Sequence, residues 1–499
     1  MAARVSKQPQ CLTSTADEER KDGSKVASFY YDRVVFITGG TGFIGKVLLE
    51  KLLRSCPGLK RVYLLVRSKR GENPQARLEK MFDSKMFEHL KQEQPDALKK
   101  VTALAGDLTE PNLGLSASDQ ATLVNSVSVV FHSGATIRFD EPLRRAVLLN
   151  VLGTRSVLDL SEKMTNLSAF VHVSTAYCNC DKPDVLEIIY PPPVGAQKLI
   201  EAAQSSSNDT TVPEEDCLYG HPNTYTLTKS VAESLILEER GEMPVAIVRP
   251  SIVTASIKEP LPGWVDNYNG CTRTIYVRNY YSRAKSVPKD IEVYHCTSSA
   301  LNPCTWAYIA DETQRAIWRH PLPNVIRFPK FQVTNSHMWH DVNLWCLHYL
   351  PARVVDLALN LYGQKPRFVC HYKKIRKTID SVRYFQTHEW LFRSNNVSKL
   401  LQELSPTDAR LFNIDVQRLD WRSYFEGYVL GIRRYLLKAE DSELPEARKR
   451  LKRLNVMRWF LYSAMAMISC GVVAMTTTTW DMYNSVCGFA TGLCDMVGL

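Results

Sequence analysis

A glycine-rich turn between an apolar run and an amphipathic stretch constrains the fold most; it lies in residues 34–53 (VVFITGGTGFIGKVLLEKLL). The β-branched run before the turn predicts a strand, and the helical spacing of apolar residues after it predicts a helix. Gly39, Gly42 and Gly45 form a variant of the dinucleotide fingerprint, in which glycines permit a tight turn and a close approach to pyrophosphate. Because a helix start also offers free N–H groups to phosphate, the stretch predicts nucleotide binding.

The end of the next apolar run, residues 61–66 (RVYLLV), bears on which dinucleotide is bound. In Rossmann domains an acidic residue here accepts the ribose 2′-hydroxyl of NAD, whereas basic residues suit the 2′-phosphate of NADP. Arg67 stands at this place, with Lys69 and Arg70 as candidate helpers, although solvated surface charges would give the same pattern. We therefore expect NADPH.

Further apolar runs alternate with helical stretches, which predicts an α/β fold with a Rossmann-like doubly wound parallel sheet. Three of these runs are residues 101–108, 128–132 and 169–174. Each closes on small or polar side chains, at the strand ends where such sheets bind ligands. Asp107 is expected to contact the adenine amine, and His132 is interpreted as a hydrogen-bonded structural residue.

A helical pattern at residues 221–240 carries Tyr225 and Lys229, whose spacing of four places both side chains on one face. A tyrosine hydroxyl has a pKa of about 10, so it is a poor acid or base at neutral pH unless a neighbouring cation favours the phenolate. Lys229 can supply that charge and hold the nicotinamide ribose. A hydroxyl of Thr175 or Ser174 would then bind the substrate carbonyl.

These motifs together resemble the extended short-chain dehydrogenase/reductase superfamily and, more narrowly, the insect-type fatty acyl-CoA reductases. The narrower resemblance rests on HSGATIRFDEPLRRAVLLNVLGT, HVSTAYCN, HPNTYTLTK and RPSIVTASIKEPLPGWVDN, and it resumes in YHCTSSALNPCTW and LPARVVDLALNLYGQKP. It covers most of the chain from residue 34 to about residue 431. The resemblance implies NADPH-dependent reduction of a long-chain fatty acyl-CoA to a fatty alcohol through an aldehyde, with two hydride transfers.

The resemblance also implies roles for individual residues. Tyr225 would be the acid/base and Lys229 its partner, while Thr175 and Ser174 would polarise the thioester or aldehyde carbonyl. The segment Arg249-Pro250-Ser251 would border the nicotinamide. The residues expected to bind the cofactor are Thr38, Gly39, Gly42, Phe43, Ile44, Gly45, Arg67, Asp107, Leu108, Ser133, Tyr225, Lys229 and Pro250.

The chain departs from these reductases between residues 270 and 290, where it carries only CTRTIYVRNYYSRAKSVPKD before the run IEVYHC. Several dozen residues of the family pattern are absent, and residues 276–284 resemble the end of the last missing helix. Loops at the carboxyl edge of a sheet shape the substrate pocket. The cofactor-binding half of the site should therefore be intact, whereas the acyl-binding half is affected. Splicing, an imperfect gene model and functional divergence are the alternative causes.

With 499 residues the chain exceeds one typical core, and we divide it into four parts. Residues 1–28 are expected to be a flexible tail, residues 29–330 an NADP-binding catalytic domain, and residues 331–445 a helical C-terminal domain over the acyl site. Residues 446–499 are expected to hold a basic flank and a transmembrane anchor at about 459–480.

The anchor prediction depends on the seventeen uncharged residues 459–475. As a helix they would span about 26 Å, just short of the roughly 30 Å hydrocarbon core of a bilayer. Arginine and lysine on their N-terminal side predict a catalytic domain that faces the cytosol, at the endoplasmic reticulum or the peroxisome. A buried core helix and an interfacial helix are the alternatives.

Composition and charge narrow the functional class of the protein further. The formal net charge of +10 is diffuse, and basic residues do not cluster with aromatics as nucleic-acid binding requires. The thirteen cysteines are scattered without metal-ligand spacing, as in a cytosolic protein with reduced thiols. Two other functions stay open: an extended reductase or epimerase acting on a sterol, another lipid or a nucleotide sugar, and a catalytically impaired NADPH-binding isoform. The sequence does not indicate an oligomeric state.

Overall fold

The computed structural model describes residues 23–68, 71–205, 218–266, 290–325, 328–329 and 337–497. Its strands are β1 (Val34–Thr38), β2 (Arg61–Val66), β3 (Val101–Ala105), β4 (Val129–His132), β5 (Ala169–Val173), β6 (Asp184–Val185), β7 (Val245–Pro250), β8 (Glu292–Cys296) and β9 (Leu391–Phe392). Seven of them form one parallel sheet in the order β3-β2-β1-β4-β5-β7-β8, and β6 pairs with β9. This is the expected Rossmann-like sheet.

The strand order reverses at β1, because β2 lies on one side of it and β4 on the other. A sheet of this kind leaves a crevice at the carboxyl ends of these two strands, where its ligands bind. Thr38, the last residue of β1, is in register with Leu65 and His132, and His132 is in register with His172 on β5. The strand ends that carry the expected site residues therefore meet at one edge.

Helices cover both faces of the sheet, and each face has a separate hydrophobic core between the sheet and its helices. The helices of this part are α1 (Lys25–Phe29), α2 (Phe43–Ser55), α3 (Pro74–Phe82), α4 (Glu88–Glu93), α5 (Ala117–Ser126), α6 (Leu143–Val147), α7 (Gly153–Glu162), α8 (Ala196–Ser205) and α9 (Thr224–Glu239). A π-helical turn, Leu148–Leu152, joins α6 to α7. The sheet is thus doubly wound.

The C-terminal part is helical, as the spacing of its apolar residues predicts. Its helices are α10 (Trp306–Arg319), α11 (His337–Leu344), α12 (Leu350–Leu361), α13 (Phe368–Thr387), α14 (Asn395–Glu403), α15 (Pro406–Leu411), α16 (Trp421–Gly431) and α17 (Leu444–Val497). A π-helical turn, Trp345–Tyr349, joins α11 to α12, and another, Ile432–Leu436, follows α16.

The first described residues belong to the packed fold rather than to a tail. Helix α1 buries Val26 and Phe29, and the Ser24 hydroxyl donates a hydrogen bond of 2.6 Å to an Asp408 carboxylate oxygen. Asp408 lies at the start of α15, so this contact joins the first described residues to the helical C-terminal part. The expected tail of residues 1–28 therefore extends too far, because residues 24–28 are already folded. Residues 1–22 lie outside the described chain.

Two backbone segments touch where the loop after β7 meets α16. Gly263 has a φ of +72°, and a Cβ added to it would lie 2.1 Å from the Gly427 carbonyl oxygen. A Cβ added to Gly431 would lie 1.7 Å from the Gly263 carbonyl oxygen. Only glycine fits at either position. We call these three residues the glycine seam.

The structure does not support the transmembrane anchor. Residues 459–480 lie within α17, but among the residues that the structure describes no helix has both the length and the apolar character needed to cross a membrane.

Candidate active site

The glycine turn brings two loops into backbone contact at the carboxyl end of β1. Gly39 has a φ of +72°, and a Cβ added to it would lie 2.7 Å from the Gly134 backbone nitrogen. A Cβ added to Gly45 would lie 2.3 Å from the Gly39 carbonyl oxygen. The turn therefore needs glycine at both positions, and any side chain there would push α2 or the β4 loop out of place.

The start of α2 is free to bind an anion. Gly42 is its N-cap and has no side chain to accept a hydrogen bond from the first-turn N–H groups. The Phe43 ring stacks on buried Trp264, with 4.7 Å between the ring centroids. This contact fixes the start of α2. Exposed N–H groups at a fixed helix start are what a pyrophosphate requires. The backbone of Ile44 and Gly45 lies in this first turn.

Thr38 and His132 hold the two strand ends together. His132 Nδ1 lies 2.7 Å from the Thr38 hydroxyl and Nε2 lies 3.0 Å from the Thr154 hydroxyl. Burial, followed by the charge of Lys229, lowers the pKa of His132 to about 3, so the imidazole is neutral. Gly134 donates its N–H to the same Thr38 hydroxyl at 3.2 Å. His132 thus has the expected structural surroundings, and the Thr38 side chain is engaged within the fold rather than free for a cofactor.

The expected contacts to the adenosine half lie along the ends of β2, β3 and β4. Arg67 is more than half exposed, with its guanidinium 3.8 Å from an Asp107 carboxylate oxygen. Asp107 also accepts hydrogen bonds of 3.0 Å from the N–H and hydroxyl of Thr109. Leu108 packs against Gly134, and Ser133 donates its N–H to the Thr38 carbonyl. Lys69 and Arg70 lie outside the described residues.

Tyr225 and Lys229 lie one turn apart on α9, opposite the end of β5. Asn223 caps this helix by accepting a hydrogen bond of 2.9 Å from the Thr226 N–H. The Lys229 ammonium is buried and donates a 2.8 Å hydrogen bond to the Val173 carbonyl oxygen. The Tyr225 ring is half-buried, and the Thr175 side chain is near enough to its hydroxyl to influence the pKa of the tyrosine.

Burial shifts the pKa of both Tyr225 and Lys229. It raises the pKa of Tyr225 to about 12, although the Thr175 hydrogen bond acts in the other direction. It lowers the pKa of Lys229 to about 8, partly offset by the negative charge of Glu233. Lys229 is therefore cationic at neutral pH but close to losing its proton. A tyrosine that keeps its proton beside a cation is suited to donate that proton to a developing oxyanion.

Ser174 differs from its neighbour Thr175. The Ser174 hydroxyl is buried and has no hydrogen-bond partner among the residues that the structure describes. Thr175 accepts a 3.3 Å hydrogen bond from the Tyr177 N–H, which fixes its side chain at the end of β5. Of these two neighbouring hydroxyls, Thr175 is therefore the one that lies near Tyr225, while Ser174 stays an expected catalytic residue.

Arg249 is held inside the fold. It is fully buried, and its Nε donates a 2.9 Å hydrogen bond to the Glu233 carboxylate. The rest of its guanidinium binds His295 Nε2 at 3.1 Å and the carbonyl oxygens of Leu186 and Ile188. The side chain is therefore a structural one, and the placement of the segment Arg249-Pro250-Ser251 beside the nicotinamide stays a prediction. Pro250 follows it as the buried last residue of β7.

Comparison with known proteins identifies the family. Two family models, both described as "Male sterility protein", match residues 37–298 and 347–439. The chain is 38% identical over 501 residues to "Fatty acyl-CoA reductase 1" of Xenopus laevis, which covers 93% of this chain and 96% of the relative. The human protein of the same name is 37% identical over 498 residues, with the same two shares. The chain belongs to the fatty acyl-CoA reductase family.

A mouse protein gives a similar match. "Fatty acyl-CoA reductase 2" of Mus musculus is 38% identical over 503 residues and covers 93% of this chain and 97% of its own length. Among solved structures, the reductase domain of a non-ribosomal peptide synthetase from Mycobacterium tuberculosis covers 84% of this chain and 97% of its own. That domain has 18% sequence identity and a TM-score of 0.49.

The alignments with these reductases also bear on the shortened segment. The Xenopus alignment spans 501 positions but includes only 93% of a 499-residue chain, so a few dozen of its positions have no residue here. This agrees with the expectation that several dozen residues of the family pattern are absent. Residues 267–289, where the sequence places the loss, lie outside the described chain.

Three aromatic residues near the catalytic pair escaped the sequence reasoning. The Phe139 ring stacks on Tyr225 at 5.9 Å and lies 5.3 Å from the Phe385 ring, and Phe385 is 5.0 Å from Tyr177. Phe139 and Tyr177 lie within motifs that carry the family resemblance, so that resemblance could have pointed to them. Phe385 is on α13 and had none, because its contact spans more than 150 residues of chain.

Proposed function

We propose that this chain reduces long-chain fatty acyl-CoA to fatty alcohol with two NADPH through an aldehyde. Two observations carry the proposal: the Thr175 side chain influences the Tyr225 hydroxyl, and buried Lys229, one helical turn from Tyr225, binds the carbonyl oxygen of Val173 at the end of β5. The names of the relatives supply the substrate class. The division into a catalytic domain at residues 29–330 and a helical domain at 331–445 belongs to the same proposal.

The residues at the glycine turn fit a nicotinamide dinucleotide. The contacts of Gly39 and Gly45 leave backbone where a side chain would otherwise stand, and the α2 start offers N–H groups to the pyrophosphate. Arg67 supports NADPH over NADH, because its exposed guanidinium can pair with a 2′-phosphate. NADPH supplies the hydride in each of the two reductions.

The chain's own residues handle the oxygen of the substrate. The Thr175 and Tyr225 hydroxyls donate hydrogen bonds to the thioester carbonyl, which polarises it and fixes its position. In the first reduction the carbon–sulfur bond breaks and CoA leaves as a thiolate that takes up a proton. In the second, Tyr225 gives its proton to the aldehyde oxygen as the alcohol forms. The positive charge of Lys229 stabilises the tyrosinate until it is protonated again.

The aromatic residues beside Tyr225 suit an apolar substrate. The rings of Phe139, Phe385 and Tyr177 form a chain of contacts that begins at Tyr225, so they lie beside the place of the reacting carbonyl and its acyl chain. An apolar chain gains free energy from burial against such rings in proportion to the area removed from water. A sugar nucleotide would instead need polar partners at this place.

The proposal includes a membrane location, at the endoplasmic reticulum or peroxisome with the catalytic part facing the cytosol. Its support is the basic run at residues 448–453 followed by exposed Met457, Phe460 and Leu461 on α17. Basic residues beside apolar and aromatic ones favour contact with an anionic membrane surface. Acyl-CoA substrates partition to such surfaces.

One alternative function has a specific observation in its favour. The missing alignment positions support an isoform that binds NADPH but cannot hold an acyl-CoA. The experiment combines both readouts on the purified full chain: NADPH oxidation with a long-chain acyl-CoA, and NADPH affinity by fluorescence titration. Fatty alcohol in the extracted products supports the reductase. Tight NADPH binding with no product at any acyl chain length supports the impaired isoform.

A further inference from the structure

Helix α12 carries a row of apolar side chains on the side that faces away from the protein. They are Leu350, Val354, Leu357 and Leu361. Their spacing of four, three and four residues places them on one face of the helix, and Leu357 and Leu361 are 60% and 80% exposed. Ala352 and Asp356, on the opposite face, are the residues that are buried. A water-facing helix shows the reverse pattern, with charged residues outside and apolar ones inside.

The same row continues into the preceding helix. Met338, Val342 and Trp345 on α11 and the π-helical turn are also exposed, again at spacings of four and three. A π-helical turn holds one more residue than an α-helical turn. The five-residue step from Trp345 to Leu350 therefore brings the row back to the same side. We call these seven side chains the apolar stripe; it runs along 25 consecutive helical residues, His337–Leu361.

Basic and aromatic residues border the apolar stripe. Arg353 flanks it on α12, and Lys365 and Arg367 follow the end of that helix; all three are exposed. Arg353 and Lys365 form no ion pair with any residue in the described part of the chain. Tyr362, at the end of the stripe, is 86% exposed. Tyrosine and tryptophan are typical of the headgroup level of membranes, and lysine and arginine are attracted to anionic lipid.

We propose that the apolar stripe lies in the plane of an anionic membrane surface, with its side chains at the boundary between headgroups and acyl chains. An apolar face, interfacial aromatics and a basic border together define helices that lie on membranes rather than cross them. A second copy of the chain fits less well, because two stripes facing each other would bring Arg353 and Lys365 of both copies toward like charges.

Helix α13 connects the stripe to the proposed reaction. The Asp356 carboxylate on α12 accepts a hydrogen bond of 2.9 Å from the Phe368 N–H at the start of α13, and Phe385 near the end of α13 contacts Phe139, which stacks on Tyr225. A membrane held at the stripe would therefore lie at one end of the helix whose other end reaches the catalytic tyrosine. This consequence rests on the proposed function, whereas the membrane contact itself does not.

The test measures local contact in the full-length protein. Hydrogen–deuterium exchange of peptides from residues 337–361 is compared with and without vesicles of phosphatidylcholine containing phosphatidylserine. We expect slower exchange in these peptides with vesicles. In flotation, the double variant Val354→Asp/Leu357→Asp should bind the vesicles at least about tenfold more weakly, since each leucine-sized side chain withdrawn from an apolar phase costs that much or more. Leu237→Asp, an equally exposed apolar position on α9, should bind as the wild type does.

Two results would overturn the proposal. One is unchanged exchange at residues 337–361 while the protein still binds vesicles through another part. The other is slower exchange that grows with protein concentration in the absence of lipid, since that indicates a contact between copies. The aspartate double variant should keep wild-type NADPH oxidation on acyl-CoA supplied without vesicles, which shows that it folds. A protein that protects the stripe on vesicles but reduces no acyl-CoA would refute the proposed function and leave this inference standing.

Discussion

The buried ammonium of Lys229 donates a 2.8 Å hydrogen bond to the backbone carbonyl of Val173, at the end of the central strand β5. This contact ties the catalytic helix α9 to the strand that carries Thr175. It leaves the charge of Lys229 one helical turn from Tyr225. The position of the cation is therefore set by the sheet, so changes at Lys229 should affect both the reaction and its pH dependence.

Replacing Tyr225 by phenylalanine should remove the proton donor while leaving the ring in place. We expect kcat for NADPH oxidation with acyl-CoA to fall about 10²- to 10⁴-fold, the usual contribution of a positioned acid. NADPH affinity by fluorescence titration should change little. Turnover within a few-fold of the wild type would refute the assignment of Tyr225.

Activity should fall as pH rises past about 8, where Lys229 loses its proton. The neutral amine no longer stabilises the tyrosinate, so kcat/KM should decrease with the loss of a single proton. Lys229→Arg keeps the cation, because arginine stays charged; its residual activity should show no fall in this range. Since burial lowers this pKa from 10.5, the unfolded chain holds more protons between pH 8 and 10.5. The free energy of unfolding should therefore rise with pH across that window.

The buried ion pair between Glu233 and Arg249 should be sensitive to the loss of either partner. Glu233→Gln leaves the Arg249 charge buried without its counter-ion, which costs about 3–5 kcal/mol of unfolding free energy in such pairs. Glu239→Gln breaks a 2.7 Å pair with Arg155 near the surface and should cost about 0–1 kcal/mol. Urea denaturation of both variants measures the contrast, and equal effects would contradict it.

The glycine turn should have no room for even a methyl group at Gly45. Gly45→Ala places a Cβ against the Gly39 carbonyl oxygen, and we expect NADPH binding to weaken about tenfold or more, as overpacking of about 1–3 kcal/mol implies. Gly195→Ala is the control, because nothing lies within 4 Å of its added Cβ and its φ is not in the left-handed region. Equal NADPH affinity in the two variants would mean that the turn does not bind the cofactor.

Cofactor preference should depend on Arg67. Arg67→Ala should weaken NADPH binding and leave NADH binding nearly unchanged, because only NADPH carries the 2′-phosphate. Arg61→Ala removes an exposed arginine from the other end of the same strand and should affect neither cofactor. A parallel loss of both affinities in Arg67→Ala would indicate a structural role through Asp107 instead.

What the sequence predicted well depends on short stretches of chain. The glycine turn and the Tyr225–Lys229 pair are each set within one or two turns of backbone, so their residue types and spacing are informative. The buried contacts of Arg249 could not be predicted, because its partners come from α9, β8 and a loop more than 60 residues away.

The uncharged run at residues 459–475 was also insufficient evidence by itself. The absence of charged residues predicted a spanning segment, whereas no helix among the described residues has the length and apolar character that a membrane span needs. The apolar stripe on α11 and α12 was equally hidden. Its residues follow ordinary helical spacing, and only the structure shows that the regular apolar face is the outer one.

The glycine seam fixes the loop after β7 against α16. Gly263 and Gly431 stand backbone against backbone, so these two segments cannot slide past each other without a steric clash. The seam thereby joins the sheet to the helical C-terminal part without help from any side chain. We therefore expect both parts to unfold in a single transition, because neither can loosen before this contact is lost.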